Sequence, residues 1–553
     1  MNTLHIHRKK ILIFTAALSC ASVFAEPVAD FDETLTENQI LLPDVTTTVL
    51  GDSPSAGMDA LPDFSGIVLS DSNSDVLPRM PDGSIQDFED EPEADFSSDE
   101  EKDIYAQGLI GAGYPGYFTG DFSVYKNSGE NPFSLRFSHD SSYGYGSHSA
   151  GEGFFDSSTA LDGSKTFTWN TVSLESAAKY SMQTYGLQGV CAPYFYDMSY
   201  ITVGLDGTLK WTLPKGFLLT AGLQGEWYSR YAGVADGEMS TATEKETGVR
   251  SLNFSPGVRL SWTGGNFSAG TDAAYTFEDF VSRGQFGADF LWRDAGYHAG
   301  ASVAVVVGNA IGSRISAIPP FTVDFGGEWN VGPSSRVLSV EVKGGLDSYL
   351  PLRSELETLY LFSAAGGALS ETSDWYAEVK ASVPVLSSLT VDFSGGFKAT
   401  AFGNGVWEPD YRNVSDSGAG IYSFAPLSRV HVRTDLEVSY VYKFLTAKAF
   451  WNSNWGRYVP AAEIPFTIGF SVIAQDEMSR WGADLSFMQP LGAGVDFVPV
   501  IDTSAFYRVN DSMRLALQID DVIKLLGASD RVYASSKYMM KAGSATVLVR
   551  FLF

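Results

Sequence analysis

The chain has 553 residues and a net charge of −29, a balance that excludes nucleic acid as a partner and disfavours adsorption to anionic lipid. Aromatic residues reach 13% and glycine 55 positions, while charged residues stop at 19%, below the roughly 25% of ordinary globular chains. That mixture suits a β protein with aromatic membrane borders better than a helical enzyme.

Residues 1–25 read as an export signal: Arg8, Lys9 and Lys10, then the apolar run Ile11 to Leu18, then Val23-Phe24-Ala25 before Glu26. Lipoprotein processing at Ala17-Leu18-Ser19-Cys20 is the alternative, although alanine and leucine stand there in reversed order. After cleavage only Cys191 remains, so no intramolecular disulfide is expected. No other stretch has the roughly 18 continuous apolar residues of a transmembrane helix, which leaves a soluble fold or a barrel.

Residues 26–103 carry 22 acids against Arg79 and Lys102. Rich in Ser, Pro, Asp and Thr, they cannot bury enough apolar surface to offset chain entropy, and they are expected to form a disordered acidic periplasmic arm. A 19-residue repeat runs through the arm over 42–98: Leu42-Pro43-Asp44 recurs as Leu61-Pro62-Asp63 and Met80-Pro81-Asp82. It is either low-complexity drift or a repeated docking motif for a periplasmic protein, bound with avidity. Asp71-Ser72-Asn73-Ser74-Asp75 resembles the start of a calcium loop, but Val76 replaces the turn glycine and Asp82 the bidentate glutamate.

From 104 to 553 the signal is period-two alternation. Ile201, Val203, Leu205, Gly207, Leu209, Trp211 and Leu213 share one face, while Thr202, Gly204, Asp206, Thr208, Lys210 and Thr212 share the other. The first two strands are placed at 104–113 and 117–126. Tight connections (Pro214-Lys215-Gly216, Gly264-Gly265, Asp294-Ala295, 332–335, Ser387-Ser388, Lys443-Phe444, 509–511) alternate with long polar ones (142–164, 232–246, 308–319, 348–373, 402–427, 526–540). Such sorting predicts short periplasmic turns and long extracellular loops. Trp211, Trp262, Trp292, Trp329 and Tyr442 each precede a tight turn and predict one aromatic border. The fold class is therefore an all-β transmembrane antiparallel barrel of about 22 strands, with any even number from 18 to 22 admissible.

The last strand carries the sharpest pattern. Phe553, Phe551, Val549, Val547 and Ala545 fall on one face, Arg550, Thr546 and Ser544 on the other. A chain ending this way resembles bacterial outer-membrane β-barrel proteins, which implies that Val547, Val549, Phe551 and Phe553 are read by the barrel assembly machinery. Strand rhythm over 104–553, especially 495–510, 512–525 and the terminal strand, is similar to the barrel of TonB-dependent receptors. That family carries a folded plug before its barrel. The acidic segment 26–103, 78 residues long, lacks the glycine-rich sheet pattern of a plug, so a plugless relative in a Gram-negative-type or spirochaete outer membrane is expected.

With the apolar face toward lipid, the other face would line the lumen. The candidate lining residues are Asp206, Lys210, Glu226, Arg259, Asp289, Arg293, Asp324, Glu328, Glu341, Lys343, Glu378, Lys380, Asp392, Lys398, Arg433, Asp435, Glu437, Arg514 and Asp520. Their mixed signs suggest mutual pairing across the wall. No cofactor or metal is expected: His139, His148, His298 and His431 lack ligand spacing. Phe137-Ser138-His139-Asp140-Ser141 holds a His-x-Ser pair on the lipid face, like that of outer-membrane lipid hydrolases, but Ser142 stands where the phospholipase form has asparagine. The expected function is a non-enzymatic, porin-like channel for small hydrophilic solutes, gated or partnered through the arm. The alternative is a surface receptor or adhesin with an occluded lumen; a lipid hydrolase ranks last.

Overall fold

The computed structural model describes residues 104–552, apart from 127–130, 191–194, 235–247, 280, 310–318, 332–335, 366–368, 402–404, 415–421, 457–463, 477, 493–496, 528–535 and 542. The expected signal, the acidic arm, its repeats, the calcium-like segment and Phe553 lie outside the described residues.

Alternation along each strand forces one polar and one apolar face, and a sheet with both faces so specified can close on itself. Twenty-two strands do so in one antiparallel sheet. Strands are numbered here in chain order, β1 to β25. β1 (Tyr105–Tyr114) pairs with β25 (Ser544–Leu552), from Gln107 opposite Leu552 to Tyr114 opposite Ala545, and closes the barrel. Closure leaves no free edge for pairing with another chain. Three further short strands belong to loops: β14 (Ser363–Ala364), β17 (Val406–Val414) and β18 (Tyr422–Leu427).

The outer face is large and apolar. In β6 (Phe195–Leu213) Val203, Leu205, Leu209 and Trp211 point outward, and Phe286 is 59% exposed in β10 (Val281–Asp294). Water does not tolerate an apolar band around a whole protein, whereas hydrocarbon covers it without cost. Trp211, Trp262 and Tyr442 stand exposed beside short turns, and the indole N–H of Trp329 donates to the Tyr297 hydroxyl at 2.7 Å. At the opposite ends Trp227, Trp375 and Trp455 form a second exposed aromatic level.

Both β1 and β25 meet the short-turn rim, the periplasmic end in barrels of this kind. The opposite rim carries the loops 350–371, 401–429 and 521–543. One expected long loop, 142–164, is shorter than read. β3 (Phe133–Tyr143) runs to Tyr143 and β4 (Phe155–Trp169) already begins at Phe155, with Ser141 opposite Ser157 and His139 opposite Thr159. Ladder hydrogen bonds do not require apolar side chains, so a polar strand continues above the membrane. β6 and β7 (Phe217–Val234), at 19 and 18 residues, likewise exceed the roughly ten that a tilted crossing needs.

Candidate functional site: a charged lumen beneath a loop cap

The strand period places the charged side chains on the inner wall, and register places opposite signs together. Glu341 of β13 (Arg336–Tyr349) faces Lys380 of β15 (Thr372–Leu386), and Lys343 faces Glu378. Arg259 lies 2.8 Å from Asp289 and 3.8 Å from Asp272. Arg433 reaches Asp435 at 3.0 Å, and Lys448 reaches Glu437 at 3.2 Å. Glu328 is exposed opposite Ser339. Asp520 accepts from Ser544 at 2.7 Å and from Gln518 at 2.9 Å. Arg514 packs on the Phe506 ring, 4.4 Å from its centroid. On the terminal strand, Val547 is exposed on the outer face, and Val549 and Phe551 share its side of β25 with intermediate exposure.

Glycines let some pairs cross an intervening strand. Lys179 of β5 (Val172–Gly186) passes over Gly204 of β6 to reach Glu226 of β7 at 3.0 Å; a Cβ at Gly204 would fall on the lysine side chain. At Gly270 a Cβ would stand 2.6 Å from the Arg259 guanidinium and 2.7 Å from Asp289. The wall is thus braced over three strands, an arrangement that the sequence-level pairing of neighbours does not anticipate.

The second feature was not anticipated. The loop 350–371 turns inward and carries the helix α1 (Arg353–Leu359), whose first turn is held by Glu355 accepting from the Leu352 N–H at 3.1 Å. Glu357 on α1 is fully buried. It lies 2.5 Å from Arg230, accepts from the Tyr228 hydroxyl at 2.5 Å and from the Ala365 N–H at 2.8 Å. Ser354 donates to Glu226, and the Arg353 N–H donates to Glu278 at 3.0 Å. All these barrel partners are inward-facing residues near the extracellular ends of their strands. Leaving one charge of such a buried pair alone costs about 3–5 kcal/mol, so the pair commits the helix to the wall.

Loops from distant parts of the rim meet there. Phe362 stacks on Tyr538 with centroids 3.8 Å apart, and its carbonyl accepts from the Tyr422 N–H at 2.8 Å. Gln188 clasps Met539 through two bonds of 2.9 and 2.7 Å. Leu187, Met198, Tyr200, Tyr228, Leu361, Phe362, Tyr411, Tyr422 and Tyr538 form one buried apolar cluster. An apolar core, knitted by a buried ion pair, therefore lies within the extracellular mouth.

The His-x-Ser pair does not form a nucleophile and base among its described contacts. His139 Nδ1 is bonded to Thr159 Oγ1 at 2.8 Å, and Ser141 is 1% exposed, closed off from a lipid substrate. Among the described residues no cluster of three His, Cys, Asp or Glu side chains could hold a metal ion.

No protein-family model matches the sequence, and no curated protein does either. Solved structures do match in fold. The FrpB iron transporter from Neisseria meningitidis (F5-1 variant) superposes with a TM-score of 0.57 at 10% identity, covering 82% of this chain and 83% of its own. The copper transporter OprC superposes at 0.56 and 12% identity over 81% and 80% of the two chains. The FpvAI–pyocin S2 complex gives 0.56 and 12% over 82% and 70%. The fold is that of the TonB-dependent receptor barrels, a closed wall of 22 antiparallel strands.

Proposed function

We propose that this chain is an outer-membrane transporter of the receptor type, shut at its outer mouth by its own loops and carrying small hydrophilic solutes along the charged lumen when a ligand displaces them. The observation that carries this reading is the cap: Glu357 buried against Arg230 and Tyr228, and Phe362 stacked on Tyr538. An open passive channel has no use for an apolar core in its mouth. The cap equally supports a second reading, a surface receptor whose lumen stays occluded. The fold neighbours include an iron transporter and a copper transporter, which supports transport as the class of activity.

Planar-bilayer conductance of the full chain tests this. Wild type is expected to stay closed, while Phe362→Ala with Tyr538→Ala gives stable conductance steps of the size of a wide lumen. Wild-type steps equal to those of the variant would overturn the gate. Silence from both, with the barrel folded, would favour the occluded receptor.

A further inference from the structure

The last extracellular loop, 521–543, seats a lysine in a cage of aromatic and acidic side chains on the inner wall. The Lys541 ammonium lies 4.2 Å from the centroid of the Tyr117 ring, at the start of β2 (Tyr117–Lys126), and 3.8 Å from Asp156 Oδ2 of β4. Two tyrosine hydroxyls hold the carboxylates beside it: Tyr117 donates to Asp140 Oδ1 at 2.5 Å, and Tyr145 to Asp156 Oδ1 at 3.0 Å. Both rings are buried, whereas 28% of the Lys541 side chain is still open to solvent. A ring face backed by carboxylates attracts an organic cation through its quadrupole and through charge together. A hard metal ion needs several oxygens at once, and among the described residues no cluster of three acids could supply them. The fit of the present occupant is loose. At 3.8 Å the ammonium stands beyond ordinary hydrogen-bond length from Asp156, and a contact this open contributes little alone. The loop is what keeps it there: Tyr538 stacks on Phe362, and Met539 is clasped by Gln188. Tyr538, Met539 and Lys541 fall within four residues, so a group that pushes the lysine out strains the stack at the centre of the cap.

We propose that this cage binds the primary amine of a small solute, which takes the place of the Lys541 ammonium and so loosens the last loop. The proposal rests on the cap being a gate that a ligand displaces, and it names the chemistry of that ligand. An untethered ammonium can approach a carboxylate to about 2.8 Å, closer than the loop brings Lys541, and it keeps the ring face of Tyr117. The lysine is then an internal competitor, held at the high effective concentration that a tether supplies. A cage vacant only about a tenth of the time weakens the apparent affinity of an added amine about tenfold.

The test titrates n-butylamine hydrochloride, the free counterpart of a lysine side chain, into the full chain folded in detergent. Potassium chloride at matched ionic strength is the control, and binding is read by saturation-transfer NMR. Lys541→Met keeps an apolar stem over Tyr117 and removes the ammonium, so it should bind n-butylamine about tenfold more tightly than wild type. Adding Asp156→Asn should abolish that gain, with folding checked by heat-modifiable migration. In wild type, saturating n-butylamine should speed exchange of the Met539 amide, bonded to Gln188 Oε1 at 2.7 Å, about tenfold, and potassium chloride should not. If the variants do not fold, this exchange experiment decides alone. Equal affinity in wild type and Lys541→Met, binding indifferent to Asp156→Asn, or exchange that answers both salts alike overturns the proposal. Failure of the gate reads differently: saturable amine binding and faster Met539 exchange with a bilayer that stays silent uphold the cage and overturn transport. Conductance by Phe362→Ala with Tyr538→Ala but no amine binding overturns the cage alone.

Discussion

Replacing Glu357 by alanine should open the cap while leaving the barrel intact. The substitution removes a fully buried carboxylate that serves Arg230, Tyr228 and the Ala365 N–H at 2.5, 2.5 and 2.8 Å. Arg230, 3% exposed, then loses this buried counter-charge. The handicap is about 3–5 kcal/mol, which shifts the opening equilibrium of the loop between about a hundredfold and a few thousandfold. Hydrogen exchange reads this directly. The amides of Leu356 and Tyr360, bonded to Leu352 O and Leu356 O, and that of Tyr422, bonded to Phe362 O, should lose protection by that factor. Wall amides in β6 should not change. A buried ion pair can often be replaced by well-packed apolar groups at little cost, so Arg230→Met with Glu357→Leu should restore protection. Exchange altered by less than tenfold would refute the reasoning, as would equal loss of protection throughout the wall, since the loops would then not be a separate unit.

Glu371, at the base of the same loop, predicts a pH response. Burial pushes its carboxyl above the ordinary value of 4.5, with Arg283 pulling the other way. A carboxyl raised on folding binds more protons folded than unfolded. Its contribution is therefore full below 4.5 and is lost as pH rises through the raised value. Protease resistance of loop 350–371 should weaken as pH climbs from 4.5 toward neutral, and Glu371→Gln should flatten that slope; an unchanged slope would refute it. On the outer wall Val547, exposed opposite Ala112 and Leu517, should not tolerate charge. Val547→Arg should cost about 2–4 kcal/mol in urea titrations of folding into vesicles, and a cost below 1 kcal/mol would place β25 away from lipid.

The wall was legible because two solvents imposed it. Lipid outside and water inside select opposite side chains at alternate positions, so Val203-Gly204-Leu205-Asp206 already states which way each residue faces. Closure of the barrel was legible for the same reason at 545–551, where Val547 faces outward and Thr546 inward. Leu548 broke the pattern and shows why patterns have exceptions: it is 3% exposed on the inner face, opposite Gly111 and Ala516, where small neighbours leave room for an apolar side chain. Other neighbours on the wall needed register. Arg508, Arg514 and Arg550 are spaced irregularly in sequence, and only the hairpin at 511–512 and the return of β25 set them on adjacent strands.

The cap was hidden for a different physical reason. Its contacts join residues far apart in the chain, with Tyr228 bound to Glu357 across 129 positions and Gln188 to Met539 across 351, and loops have no period to report them. One signal was nevertheless present. The segment read as a polar loop holds Leu352, Leu356, Leu359, Tyr360, Leu361 and Phe362, spaced as one face of a short helix followed by an apolar run. Placed at the extracellular end, above the membrane, such a run has no lipid to enter and must bury itself in protein. The surface nearest to it is the inner rim, where Tyr200, Tyr228 and Arg230 sit at the extended ends of β6 and β7. The excess length of those strands, which a membrane crossing does not require, is what raises an inward-facing wall high enough to receive the loop. Long strands and an apolar loop are thus two halves of one device, and shortening β6 and β7 should release the cap as surely as removing Glu357.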